Sequence, residues 1–208
     1  HIGTVPNLDA ITTLAVIGLS LLAGLVSRLF VFSLHKTHHI FAMIENAYVR
    51  AIIGGAIIII LTLLVGNQDY NGVGSQMIER SLSGNVPIYA FLLKILFTAI
   101  TLSAGYKGGE IIPSLIIGAT LGSAFGTIFG LPAGLWAEVG MVAVFCGVTN
   151  CPITSLLIGF ELFNFQASSF LLIAVAISYI VSGYSGLYKA QMIIFSKTSR
   201  KRIERNTN

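Results

Sequence analysis

The chain has 208 residues, of which 55% are hydrophobic and only 10% are charged, and its mean hydropathy is +0.87. This composition excludes an ordinary water-soluble domain, since such domains carry about 25% charged residues. The formal net charge of +4 does not predict nucleic-acid binding, because the densest group of basic residues follows an apolar segment, where anionic membrane lipid attracts it.

The apolar segments predict a series of helices of uneven length. Residues 9–41 and 48–65 come first, followed by a polar loop and a short amphipathic segment at residues 75–84. Further helices are predicted at residues 86–104, 111–129, 131–149, 152–163 and 165–182, with a last one from Leu187 into the basic tail. Several are shorter than the about 20 residues that cross a bilayer. Together they predict one all-α integral membrane unit over residues 1–208, with tilted and broken helices around a polar site.

Three histidines, His35, His38 and His39, lie at helical spacing near the end of the first helix. They could share one face and bind a metal, but no carboxylate or thiolate beside them completes such a site. A polar helix end at the membrane surface is the better explanation. The sequence therefore predicts no metal and no cofactor, and it contains none of the common catalytic motifs of enzymes.

Residues 105–113, GYKGGEIIP, place a lysine, three glycines and a glutamate directly ahead of an apolar helix. Gly108 and Gly109 have no side chains to shield their amides, and Pro113 suits the first turn of a helix, where a missing N–H costs nothing. A helix start carries about half a positive charge and up to four unpaired N–H donors. In a membrane these donors must line a cavity or be capped. The stretch predicts either an anion site or a helix start that Glu110 caps.

A glycine stripe follows in the same helix, at Gly118, Gly122, Gly126 and Gly130. Glycine at every fourth position leaves one face of a helix smooth, so that another helix can approach closely. We expect the stripe to be a packing surface.

Three segments resemble motifs of the CLC family of chloride channels and proton/chloride antiporters. Residues 108–126, GGEIIPSLIIGATLGSAFG, look like the family's G-x-F-x-P segment and the helix that follows it. Residues 150–162, NCPITSLLIGFEL, resemble its A-P-[LI]-T…E helix, and residues 182–191, SGYSGLYKAQ, resemble the segment that ends in G-x-P-L-Y. The three occur in the family's order.

This resemblance implies a homodimer with one pore per subunit, in which each subunit is built from two inverted repeats of broken helices. The chain is similar only to the second repeat and the final helix, so we expect the C-terminal half of a chloride channel or proton/chloride antiporter. The first-repeat motifs, which supply a serine of the anion site and the gating glutamate, are absent from these residues. The resemblance therefore leaves open whether the protein is a channel or an antiporter and which anion it prefers.

The resemblance also implies that chloride is the bound ion and that particular backbone N–H groups bind it. The N–H groups of Glu110 and Ile111 correspond to the donors of the family's G-x-F-x-P segment. Gly109 and Pro113 are the ends of that segment, and Gly108 supports the helix start beside it. Ile111 replaces the usual aromatic residue, which leaves the backbone donors in place.

Two side chains complete the implied site. Tyr188 matches the family's chloride-binding tyrosine, whereas Tyr184 is expected to face elsewhere. Glu110 places a carboxylate where the family commonly has an apolar residue. A carboxylate turned toward the pore would compete with the anion, and one turned away would only cap the helix. We expect capping, because an acidic residue is favourable in the first turn.

The resemblance implies partners as well. Residues 153–163 and 165–182 resemble the family's subunit-contact helices, so a homodimer is expected through them, and the missing N-terminal half would complete the pore. The basic tail, about residues 196–208, is expected in the cytoplasm by the positive-inside rule, in a prokaryotic inner membrane. A second hypothesis is a non-conducting half-size membrane module that dimerises without transport. First-repeat motifs upstream of His1 would favour the transporter.

Overall fold

The computed structural model describes residues 8–188, 190–197 and 202–207. Helices account for most of this part of the chain, and two short strands follow them. In order, the elements are α1 (Ala10–Ala42), α2 (Ala47–Val65), α3 (Ser75–Leu82), α4 (Ala90–Ser103), α5 (Ile111–Ile128), α6 (Ala133–Thr149), α7 (Pro152–Phe163), α8 (Ser168–Val181), β1 (Met192–Phe195) and β2 (Arg202–Asn206).

The predicted helices up to residue 182 are confirmed, although α4 begins at Ala90 and α8 at Ser168, each three or four residues later than predicted. Helix α8 begins at Ser168 because the chain turns before it, with positive φ angles of 49° at Asn164 and 62° at Phe165. The last predicted helix, from Leu187 into the tail, is wrong. Strands β1 and β2 pair antiparallel there, and the sequence MIIF of β1 is rich in β-branched and aromatic residues, which favour strands.

The helices fall into two classes of length. Among the described residues, α1, α2 and α5 are long and apolar enough to cross a membrane, whereas α4, α6, α7 and α8 are apolar but shorter. Such a mixture is typical of membrane proteins whose helices are interrupted around an internal site. The prediction of an all-α membrane fold with uneven helices is confirmed, apart from the small C-terminal sheet.

Helices α5 and α6 form the tightest contact of the molecule through the glycine stripe. A Cβ atom at Gly122 would lie 1.9 Å from the carbonyl oxygen of Trp136, and one at Gly118 or Gly126 would come within 3.0 Å of the α6 backbone. The expected packing role of the stripe is confirmed for these three glycines. Gly130 lies outside the contact: its φ of 65° belongs to the turn after α5, and no atom is near it.

The core surrounds α6, which is buried along nearly its whole length. Helices α1, α5, α7 and α8 pack around it. Helix α2 lies at the periphery against α4 and buries only Gly54. Helix α5 packs against α6 on one side and also contacts α4, α3 and α1, and this packing positions the site.

Candidate functional site

Helix α5 begins directly after Glu110, which occupies the N-cap position. The side chain of Glu110 makes no capping hydrogen bond. An N-cap side chain accepts a hydrogen bond from the backbone N–H of the second or third helical residue. The third residue here is Pro113, which has no N–H. The expectation that the Glu110 carboxylate caps the helix is wrong, because this carboxylate accepts no hydrogen bond from the N–H of Ile112, and Pro113 has no N–H to donate.

The backbone donors at this helix start are unpaired. Among the described residues, the N–H groups of Glu110, Ile111 and Ile112 have no hydrogen-bond acceptor. The helical ladder starts only at Ser114, whose N–H donates to the carbonyl oxygen of Glu110 at 3.2 Å. These donors lie at the positive end of the α5 dipole, so the site attracts negative charge.

A cavity of about 670 Å³ adjoins these donors, and we call it the tyrosine cavity. It is lined by residues 107–113 and by Tyr188, which lies far along the chain after α8. The structure thus brings together on one cavity all the residues that the sequence indicated for an anion site: Gly108, Gly109, Glu110, Ile111, Pro113 and Tyr188.

The two candidate tyrosines lie in different surroundings. The side chain of Tyr188 lines the tyrosine cavity and is 45% exposed, and within the described part of the chain its hydroxyl has no hydrogen-bond partner. The hydroxyl of Tyr184 lies 3.2 Å from the Ser196 hydroxyl and accepts a hydrogen bond from the backbone N–H of Lys197 at 3.4 Å. Tyr184 therefore faces the C-terminal segment, as expected.

Sequence reasoning missed the other wall of the tyrosine cavity. This wall consists of the loop before α3 and one face of α4, through Tyr70, Gly72, Phe97, Thr98 and Thr101. Burial raises the pKa of Tyr70, so its hydroxyl stays protonated and can donate at neutral pH. Two threonines three positions apart in an apolar helix were the available signal for α4.

A second cavity, of about 560 Å³, lies on the other side of the same segment, and we call it the histidine cavity. His35 and His38 of α1 line it, together with Lys107 and Glu110, which also line the tyrosine cavity. Burial raises the pKa of Glu110, which precedes the spanning helix, and the nearby His38 opposes this rise. Neither interpretation of the histidines, metal site or polar helix end, predicted a shared cavity with Glu110.

The chemistry of the tyrosine cavity suits a small anion. The residues that line it include those with the unpaired backbone N–H groups, Tyr188 and Lys107. Glu110 is the opposing group, but its raised pKa means that it takes up a proton more readily than an ordinary carboxyl. Once protonated, Glu110 no longer repels an anion.

Comparison with known proteins gives concordant matches. Residues 1–183 match the family model described as voltage gated chloride channel. The chloride/fluoride channel protein of Pseudomonas syringae pv. tomato is 34% identical over 206 residues, which cover 96% of this chain and 46% of that protein. The H(+)/Cl(-) exchange transporter ClcA of Klebsiella pneumoniae is 27% identical over 176 residues, which cover 78% of this chain and 37% of that protein.

A solved structure matches the fold as well. The crystal structure of a CLC-type fluoride/proton antiporter superposes with a TM-score of 0.84 at 30% identity, over 89% of this chain and 48% of that one. The chain thus spans about half the length of the relatives that it matches. The names of these relatives describe channels and transporters of anions.

Proposed function

Since residues 1–183 match its family model, the chain belongs to the voltage gated chloride channel (CLC) family, and we propose that it is the C-terminal half of a protein that carries chloride or fluoride across a membrane. The observation that carries this proposal is the meeting of Tyr188 and the unpaired amides of residues 110–112 on one cavity. Membership of the family supports transport, and the cavity supplies a place where an anion would bind.

The anion would lose part of its water shell and accept hydrogen bonds instead from the N–H groups of Glu110 and Ile111 and from the Tyr188 hydroxyl. The dipole of α5 adds about half a positive charge at the same point. Few water molecules screen these groups in a membrane, so each contributes more than it would at a protein surface. The remaining donors would come from the half of the protein that this chain lacks.

The test of this site is Tyr188→Phe, measured by isothermal titration of chloride and of fluoride against the full-length protein. A hydroxyl donor to a charged group contributes about 1.5–3 kcal/mol, so the dissociation constant should rise by roughly ten- to hundredfold. Tyr184→Phe is the matched control and should leave halide affinity unchanged, because Tyr184 faces the C-terminal segment. Equal affinities in wild type and Tyr188→Phe would remove Tyr188 from the site.

The mode of transport is decided by a second measurement. Halide efflux from liposomes that contain the full-length protein would be followed together with proton uptake. Proton movement in a constant ratio to halide movement identifies an antiporter, whereas halide movement without protons identifies a channel. Absence of any halide movement would contradict the proposed function and favour the non-conducting dimerisation module.

We further propose that the protein is a homodimer through α7 and α8. Both helices present apolar side chains that the chain itself leaves uncovered, such as Ile153 at 74%, Leu157 at 61% and Leu172 at 51% exposure. Cysteines at Leu157 and Leu172 should cross-link between subunits. Leu63 in α2, which is 76% exposed, is the matched control. Efficient cross-linking through Leu63 alone would place the interface on α2 instead.

The orientation in the membrane is also a proposal. The basic residues near the C-terminus support a cytoplasmic tail in the inner membrane of a prokaryotic cell, by the positive-inside rule. A fluorescent protein that is active only in the cytoplasm should be active when it is fused to the C-terminus. Activity of a periplasmic phosphatase fused at the same point would reverse the orientation.

A further inference from the structure

Lys94 lies in the middle of α4, within the apolar sequence AFLLKILF, and its side chain is only 1% exposed. An ammonium group in such surroundings is costly unless other groups compensate its charge. Its Nζ donates hydrogen bonds to the carbonyl oxygens of Tyr70 and Gly72, at 3.2 and 3.0 Å. These carbonyls solvate the charge, but they are neutral and do not cancel it.

No carboxylate of the described residues pairs with Lys94. The ion pairs there are Arg80 with Asp69 and Arg202 with Glu204. Asp69 precedes Tyr70 directly, yet its carboxylate is engaged by Arg80 at 2.6 Å. Lys94 therefore carries a buried positive charge whose negative partner is missing from the described part of the chain.

The position of this charge relates it to the tyrosine cavity. Tyr70 and Gly72, whose carbonyls hold the ammonium, both line that cavity, and so does Phe97, one turn further along α4. Gly74 leaves room for the ammonium, because a Cβ atom there would lie 3.0 Å from Nζ. The ammonium thus lies directly behind one wall of the cavity that presents the amides of α5 and Tyr188.

We propose that the counter-charge of Lys94 is the anion bound in the tyrosine cavity, an inference that rests on the proposed function and deepens it. Lys94 is then a positioning residue with two effects. It holds the loop of Tyr70 and Gly72 in place as a cavity wall, and its uncompensated charge favours anions over cations at that wall. The interaction is effective through the wall because a buried charge is screened less than a charge in water.

The experiment measures thermal unfolding of the detergent-solubilised full-length protein in sodium chloride, sodium fluoride and sodium gluconate at equal ionic strength. A halide that binds only the folded protein raises its Tm, which gives a halide-dependent increment. Lys94→Met removes the charge at similar volume and should weaken halide affinity roughly tenfold or more, so that most of the increment is lost. Lys94→Arg retains the charge and should retain most of the increment.

A purely structural role predicts a different result. Lys94→Met would then lower the Tm by the same amount in all three salts and leave the halide-dependent increment unchanged, which would overturn the proposal. If Lys94→Met does not fold, Lys94→Gln, which keeps N–H donors without the charge, should show the same loss of increment. An increment equal to that of the wild type in Lys94→Gln would equally overturn it.

Two controls separate this proposal from the proposed function. Lys36→Met removes an exposed lysine, which lies over the Phe32 ring at 5.6 Å, and should leave the increment unchanged. If it lost the increment as Lys94→Met does, net charge alone would be responsible and the proposal would be overturned. Absence of a halide-dependent increment in the wild type would overturn the proposed anion site itself, and with it the role of Lys94. A normal wild-type increment that Lys94→Met retains would overturn only the role of Lys94.

Discussion

Helices α1 and α5 both begin after an acidic residue, but the acidic side chain caps only α1. The Asp9 carboxylate accepts a hydrogen bond from the N–H of Thr12 at 2.8 Å, and the N–H of Asp9 donates to the Thr12 hydroxyl at 3.0 Å. At α5 the position equivalent to Thr12 is Pro113, which offers neither an N–H nor a hydroxyl. The third residues of the two helices thus differ in what they can donate, because Thr12 gives its N–H to the N-cap carboxylate and Pro113 has none to give.

The difference matters because the two helix starts lie in different places. Asp9 is exposed, and its capping box satisfies backbone N–H groups for which no ligand is expected. The start of α5 adjoins the tyrosine cavity and the histidine cavity, so its unpaired donors remain available to a ligand. A helix start that lacks its cap inside a membrane protein is costly, and a bound anion would offset that cost.

The largest effect should come from disrupting the packing of α5 against α6, which supports the uncapped start of α5. Gly122→Leu forces a side chain into the α6 backbone, where even a Cβ atom would lie 1.9 Å from the Trp136 carbonyl oxygen. We expect a loss of more than about 3 kcal/mol in the free energy of unfolding, and hence no folded protein in size-exclusion chromatography. Thr127→Leu, on an exposed position of α5, is the control and should fold normally. A monodisperse, folded Gly122→Leu protein would show that the close contact is dispensable.

The next largest effect concerns the charge of Glu110. Burial raises the pKa of this carboxyl, so its protonated form, which does not repel an anion, becomes more populated as the pH falls. Halide affinity of the wild type should therefore increase from pH 8 to pH 5, on the order of tenfold. Glu110→Gln is permanently neutral and should show high affinity at both pH values in titration calorimetry. A persistent pH dependence in Glu110→Gln would show that Glu110 does not cause it.

A smaller effect is expected at the capped helix start. Asp9→Ala removes the capping box of α1 and should lower the free energy of unfolding slightly, because the N–H of Thr12 loses its acceptor. Halide affinity should not change, because Asp9 lies far along α1 from the end that lines the histidine cavity. Asp9→Asn, which can still accept from Thr12, should recover most of the stability. Equal destabilisation by both variants would mean that the charge of Asp9, and not its hydrogen bond, supports α1.

The smallest effect is expected when α5 is made more like α1. Pro113→Ala supplies an N–H at the third helical position, to which the Glu110 carboxylate can then bind as a cap. We expect a decrease in halide affinity of roughly twofold, because the cap would hold the Glu110 carboxylate at the helix start, where its charge opposes an anion. Pro132→Ala, at the N-cap of α6, is the matched control and should leave affinity unchanged. An unchanged affinity in Pro113→Ala would separate capping from anion binding.

The sequence predicted the helices well and their ends less well. Long apolar runs identify α1, α2 and α5, because the composition of a segment determines whether it can lie in lipid. The segment from Leu187 into the basic tail was predicted to be a helix, yet its apolar run MIIF pairs with β2 instead. Strand pairing depends on a partner segment, which the local pattern of residues 192–195 does not reveal.

The sequence by itself determined that this is a membrane protein and which family it belongs to. It also determined that a helix start within residues 108–113 would offer backbone N–H groups. Only the tertiary structure decided that Tyr188 lines the same cavity as those residues, that Glu110 borders two cavities, and that Lys94 is buried with its ammonium bound to carbonyls of two cavity-lining residues. Composition and motifs act within short segments, where each residue contributes independently of the fold. The distances between segments depend on how α1, α4, α5 and α6 pack, and that packing is a property of the whole chain.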